Sequence, residues 1–172
     1  VNNVKISAKD VQVFYGDNHA IKDVTVEIED KTVTAFIGPS GCGKSTLLRA
    51  IAGLLGTVLP GELQGRLVVG GVDLIAAAKS ESGIPRELSA RLGYVAAGPA
   101  PTYALPLLLD DAALPLESRH VPTGEMRPQI ERHARDAAVD LALMERSLST
   151  FSGGERAVAA ALVALVASPN LL

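Results

Sequence analysis

Gly38-Pro39-Ser40-Gly41-Cys42-Gly43-Lys44-Ser45 satisfies every fixed position of the pattern G-x-x-x-x-G-K-[ST]. An apolar run, Val33-Thr34-Ala35-Phe36-Ile37, leads into it and reads as a short strand buried on both faces, as in a parallel sheet. Beyond Thr46, Leu47, Leu48, Ile51, Leu54 and Leu55 recur at helical spacing. Strand, glycine loop and helix in that order predict a phosphate cradle. Glycine lets several backbone N–H groups converge on one anion. A helix starting near Lys44 adds its positive end. Lys44 supplies a compact charge for the outer phosphates of a nucleotide, and the Ser45 hydroxyl is the expected Mg2+ ligand. Cys42 occupies a slot that acts through its backbone N–H, which makes its side chain incidental to this reading.

Upstream of the loop, Val11 and Val13, then Val24, Val26 and Ile28, alternate with polar residues, the pattern of half-buried antiparallel strands. Gly16-Asp17-Asn18 is the turn between them. Downstream, Gly56 is a plausible helix stop. Residues 66–69 and 93–95 read as strands, with a helix predicted over 85–92 and a proline-bearing loop over 98–106. Thr123 is expected to cap a helix running to about Leu143, with Glu125 in its first turn and a stripe of Met126, Ile130, Ala134, Ala137, Leu141 and Met144. Ser152-Gly153-Gly154 opens an Ala-rich helix over 155–167, and Leu171 would begin a further strand.

With 48% hydrophobic and 20% charged residues over 172 positions, the chain can build a core of aliphatic side chains. A net charge of −3 without a basic run gives no general electrostatic reason to bind nucleic acid. The single cysteine, Cys42, cannot form an internal disulfide and fits a reducing compartment. The longest apolar run, residues 157–167, falls short of the roughly 20 residues that span a bilayer. Any membrane link is therefore expected to come through a partner. The chain opens at Val1 and stops within an apolar run at Leu172, so both ends are expected to be cut.

A second glycine turn, Phe151-Ser152-Gly153-Gly154-Glu155-Arg156, lies roughly a hundred residues after the first. Alone it is an ordinary helix cap. Paired with the phosphate loop, it resembles the ABC transporter ATPases, whose signature reads Leu-Ser-Gly-Gly-Gln. The resemblance runs over nearly the whole chain. It implies a P-loop α/β fold of RecA-like type over residues 1–172, with an antiparallel β part at the N-terminus and a helical subdomain over 105–149. The domain is expected to be incomplete at its C-terminal end. The resemblance further implies that ATP and Mg2+ bind at Gly38, Pro39, Ser40, Gly41, Cys42, Gly43, Lys44, Ser45 and Thr46, with Lys44 catalytic. Tyr15 matches the aromatic that stacks on adenine. Ser152, Gly153, Gly154 and Glu155 would close over the ATP of a second ATP-binding subunit. Membrane-spanning permease subunits are the implied partners, which places the chain peripherally on the cytoplasmic side of a membrane. The stretch from Tyr15 to Arg49 looks like phosphate-import ATPases. Ile51-Ala52-Gly53-Leu54-Leu55 and residues 110–116 look more like general importer ATPases, including those for metal and vitamin uptake.

Four departures qualify the match. Ala97 stands where the family has a glutamine that contacts the metal and the attacking water. Phe151 replaces Leu and Glu155 replaces Gln in the signature, the latter adding negative charge near a triphosphate. The Walker B strand, its Asp-Glu pair and the switch histidine are expected beyond Leu172, so hydrolysis by this chain is expected to be poor; neither His120 nor His133 takes the histidine's role. Finally, Leu107-Leu108-Leu109-Asp110-Asp111 mimics an apolar strand ending in acids. Were it one, the chain would be a P-loop phosphotransferase with Asp110 or Asp111 at the metal, although Pro106 and Pro101 speak against a central strand. A non-transport ABC module is the other alternative. The reading that follows is an ATP-binding subunit of an ABC importer that hydrolyses ATP to drive uptake, with inorganic phosphate as one candidate solute.

Overall fold

Two residues, Gly16 and Asp17, reverse the chain between β1 (Val4–Tyr15) and β2 (Asn18–Glu29), and Gly16 takes the positive φ of 56° that a tight hairpin demands. The computed structural model describes residues 3–96 and 103–172. The chain divides into two compact units, Val1–Ser89 and Ala90–Leu172.

In the first unit β1 and β2 join β3 (Glu62–Val69) and β4 (Val72–Asp73) in an antiparallel sheet of order β2-β1-β3-β4. Ile6, Ala8, Val11 and Val13 of β1 are all buried, together with Leu63, Leu67 and Val69 of β3. Side chains alternate along a strand, so Ala8 and Val11 should face opposite ways. A bulge resets the pleat: Asp10 takes φ 51°, and the register with β2 shifts between Ala8 and Val11. Thr25 Oγ1 holds the bulge by accepting the Asp10 N–H at 3.0 Å.

Helix α1 (Lys44–Ile51) buries Leu47, Ala50 and Ile51. It ends earlier than its leucine spacing predicts, because Gly53 turns to φ 71°. Helix α2 (Leu74–Lys79) is capped by the Asp73 carboxylate, which accepts the N–H groups of Ile75 and Ala76 at 3.1 and 3.3 Å. The short α3 (Arg86–Ser89) is all that forms of the helix expected over 85–92. Residues 33–37 differ from expectation. They form no regular element, no described strand pairs with them, and Val33 and Ile37 are 103% and 94% exposed. An apolar pattern suited to burial on two faces here has neither a ladder neighbour nor a covering layer.

The second unit is helical. Helices α4 (Leu108–Glu117), α5 (Thr123–Asp136) and α6 (Gly153–Val166) share a core that includes Leu108, Leu116, Ile130, Ala134, Leu162 and Val166. Pro122, not Thr123, takes the cap position of α5, and no side chain bonds there. The helix stops well short of Leu143, because Ala138 adopts φ 54° and the chain continues through 3-10 turns at Leu141–Leu143 and Leu148–Thr150. Residues 93–95 form no strand; the neighbouring Leu92 makes a single parallel bridge to Leu171, and the Gly93 N–H donates to the Leu171 carbonyl at 2.7 Å. Among the described residues no helix is long and apolar enough to cross a membrane.

Candidate functional site

The loop before α1 owes its shape to glycine at two points: Gly41 has φ 82° and Gly43, at the helix N-cap, φ 93°. A side chain at Gly43 would also press on Ile21 of β2, whose Cγ1 lies 3.2 Å from the Cβ position. No side chain caps α1, and the first bond of its ladder runs from the Leu47 N–H to the Gly43 carbonyl at 2.9 Å. The N–H groups ahead of Leu47 therefore have no partner within the helix. A cavity of about 420 Å3 opens in front of them, lined by Ala20 of β2 and by Ser40, Gly41, Gly43, Lys44, Ser45 and Thr46.

Lys44 sits at the centre of this arrangement. Its ammonium donates to the carbonyls of Gly38 at 2.6 Å and Pro39 at 2.7 Å, and to Cys42 Sγ at 3.2 Å. The hydrogen bond from Lys44 is the main reason the exposed Cys42 thiol is held below the ordinary thiol range. The Cys42 side chain is thus tied to the lysine. The residues fit a Mg-ATP phosphate chain: an uncapped helix N-terminus, one ammonium-bearing side chain and the hydroxyl residues Ser40, Ser45 and Thr46 line one space. Mg2+ keeps most of its shell as phosphate and water oxygens, and Ser45 offers it a hydroxyl at the start of the helix. The described residues hold no cluster of three or more His, Cys, Asp or Glu able to bind a metal.

Tyr15 ends β1 opposite Asn18, half-buried, with its ring 3.4 Å from the Cβ position of Gly61. Among the described residues its hydroxyl is buried without a hydrogen-bond partner, as is His19 Nε2; the His19 ring stacks on Phe14 at 4.1 Å.

Ser152 caps α6 in a reciprocal box. Its hydroxyl accepts the Glu155 N–H at 3.3 Å, and Glu155 Oε2 accepts the Ser152 N–H at 2.7 Å. The other carboxylate oxygen of Glu155 meets Arg146 at 2.7 Å. The Ser152 N–H first, and then Arg146, hold the Glu155 pKa down to about 2. The negative charge read from the sequence is therefore already paired. Arg156 turns away from the cap, donating to the carbonyls of Phe151 and Ser149. Arg156 belongs to the motif read from the sequence, whereas Arg146 did not stand out. Arg146 lies nine residues before its partner, and only the intervening 3-10 turn brings the two together.

The acidic pair at 110–111 is not at the end of a strand. It lies in the first turn of α4, where Asp110 is exposed. Asp111 is buried, and its carboxylate accepts the N–H groups of Ala104 and Leu105 at 2.8 and 3.0 Å. That carboxylate holds a turn, which corrects the phosphotransferase alternative. His120 is exposed in a turn and His133 half-buried on α5. Ala97 lies outside the described residues.

A family model described as ABC transporter matches residues 21–172. The phosphate import ATP-binding protein PstB of Synechococcus sp. (strain CC9902) is 40% identical over 137 residues, which cover 80% of this chain and 48% of that protein. PstB of Bacteroides fragilis (strain YCH46) is 67% identical over 46 residues, 27% of this chain and 18% of that protein. Among solved structures, cbiO1 of Clostridium perfringens, described as part of the ABC transporter complex cbiONQ, aligns with a TM-score of 0.72 at 22% identity, covering 97% of this chain and 63% of that one. The dimeric structure of MJ0796, a bacterial ABC transporter cassette, aligns at 0.79 with 22% identity, covering 95% and 70%. At such identity the likeness is one of fold. This chain spans about half the length of the Synechococcus relative, 48%.

Proposed function

The chain belongs to the ABC transporter family, and on that premise we propose that it is the ATP-binding part of an importer, coupling binding and hydrolysis of ATP to uptake of a solute. The observation that carries the reading is the cavity of about 420 Å3 that Ala20, Ser40, Gly41 and residues 43–46 build at the uncapped N-terminus of α1. Magnesium-bound ATP supplies the transferable phosphoryl group. The chain's own residues bind and orient it: backbone N–H groups cradle the phosphates, the Ser45 hydroxyl meets the metal, and Lys44 exchanges its bonds to the Gly38 and Pro39 carbonyls for phosphate oxygens. Tyr15 offers a ring face to the base. The whole chain is read as one ABC-type domain in which residues 105–149 form the helical subdomain.

Ser152, Gly153, Gly154 and Glu155 are assigned to the ATP held by a second ATP-binding subunit. Among the described residues a Cβ at Gly153 or Gly154 would meet nothing within 4 Å, and neither residue has a positive φ, so the described structure does not require glycine there. A surface brought against the turn would. We take inorganic phosphate as the solute, because the Synechococcus and Bacteroides relatives are named for phosphate import. Membrane-spanning permease subunits are the further partners, with this chain peripheral on the cytoplasmic side. The test is titration of a fluorescent ATP analogue into the chain and into Lys44→Ala. Hydrogen bonds to charged groups are worth about 1.5–3 kcal/mol, so the variant should bind at least about tenfold more weakly. Equal affinity would overturn the assignment of the loop.

A further inference from the structure

We infer that Arg146 is a positioning residue of the turn that opens α6, pairing the Glu155 carboxylate so that an anionic phosphate can approach Gly153 and Gly154. This rests on the reading of that turn as a phosphate-facing surface. One guanidinium touches the turn at three places. Nη1 meets Glu155 Oε1 at 2.7 Å, Nη2 reaches the Thr150 carbonyl at 3.5 Å, and Cζ lies over the Phe151 ring, 5.0 Å from its centre. Residues on both sides of the two glycines are therefore held by the same side chain.

The chemistry gives this pairing a purpose beyond scaffolding. In a capping box, glutamine at the third helical position serves as well as glutamate. The cap at Ser152 thus needs an acceptor at residue 155 but not a charge. A free carboxylate in the same first turn as the Gly153 and Gly154 N–H groups would repel a triphosphate, since like charges at close range cost energy even in water. Arg156, the nearest other cation in sequence, is committed to the carbonyls of Phe151 and Ser149. Glu145, beside Arg146 in sequence, is paired with Arg127 at 2.8 Å. Arg146 is the cation that the geometry places on Glu155.

Inorganic triphosphate titrated into the full chain at low salt tests this, with the amide resonances of Gly153 and Gly154 followed by NMR and those of Gly41 and Gly43 reporting the other loop separately. Arg146→Gln should weaken the response at Gly153 and Gly154 by roughly five- to tenfold, and Arg146→Lys should retain most of it. Adding Glu155→Gln to Arg146→Gln should restore the response to within about twofold, because removing the unpaired charge makes the cation unnecessary. No saturable response at these glycines in the unaltered chain overturns the phosphate reading of the turn and this proposal with it. An equal response with and without Arg146 overturns the role of Arg146 alone. A loss that Glu155→Gln does not restore makes Arg146 a scaffold for the turn and likewise overturns the pairing role.

Discussion

Lys44 and Cys42 form one chemical unit, because the ammonium that would meet a phosphate also donates to the sulfur at 3.2 Å. The thiolate is the reactive form of cysteine, and the exposed Cys42 thiol is held below the ordinary range chiefly by that bond. Its alkylation by iodoacetamide should run faster at neutral pH than that of an unperturbed thiol. In Lys44→Gln the midpoint of the pH–rate profile should move up. Mg-ATP should slow the reaction in the unaltered chain; rates indifferent to both changes would separate Cys42 from the site. Tyr15 carries a second residue-scale prediction. Its buried hydroxyl lacks a partner, and an unsatisfied buried polar group costs about 1–3 kcal/mol. Tyr15→Phe should leave the urea midpoint unchanged or raise it and preserve ATP affinity, whereas Tyr15→Ala should lower that affinity. The loop residues were legible in the sequence because their roles are local, set by glycine backbones within a few positions of Lys44. The orphaned Tyr15 hydroxyl and the Arg146–Glu155 pair were not, since both depend on packing between segments.

Elements show the same division. The β1 and β2 strands and the α6 helix were readable from alternation and from a cap followed by an apolar run. The bulge at Asp10 was not, because it exists only in the register of β1 against its neighbours. Across the sheet, between the registered pairs Lys9–Arg66 and Gln12–Gln64, lies Gly65, at φ 91°, where a Cβ would collide with the Asp10 carbonyl oxygen. Gly65→Ala forces both a left-handed alanine and a displaced bulge, and should cost at least about 1–3 kcal/mol, read as a lower urea midpoint. The N-terminus of α6 gives a pH dependence. The folded pKa of Glu155, about 2, lies below its ordinary value of 4.5. A depressed carboxylate contributes stability that is fully present above the unfolded value and lost as pH falls through the folded one. The contribution of this cap should therefore fade between about pH 4.5 and pH 2. Arg146→Gln should raise the Glu155 pKa and begin that loss at higher pH, which a carboxyl-carbon NMR titration would follow.

For the molecule as a whole, two linear motifs a hundred residues apart made the family legible, while the packing of the apolar run between β2 and the glycine loop was not. The pattern of residues 33–37 states only that these side chains suit burial; what covers them is a tertiary matter. With Val33 and Ile37 almost fully exposed and no ladder partner among the described strands, the run presents unpaired backbone and apolar side chains together. Such a segment is a template for pairing with another chain, and burial of apolar surface contributes about 25 cal/mol per Å2. The chain should therefore self-associate as its concentration rises. Replacing Val33 with Lys, or Val33 and Ile37 together, places charge on the exposed run without disturbing the loop geometry at Gly41 and Gly43. Sedimentation velocity over a range of concentrations would show the unaltered chain shifting to larger species and the Val33→Lys chain remaining monomeric. A chain that stays monomeric without the substitution, or associates equally with it, would mean that residues 33–37 are covered in solution and that their exposed, unpaired arrangement is not the one the protein keeps.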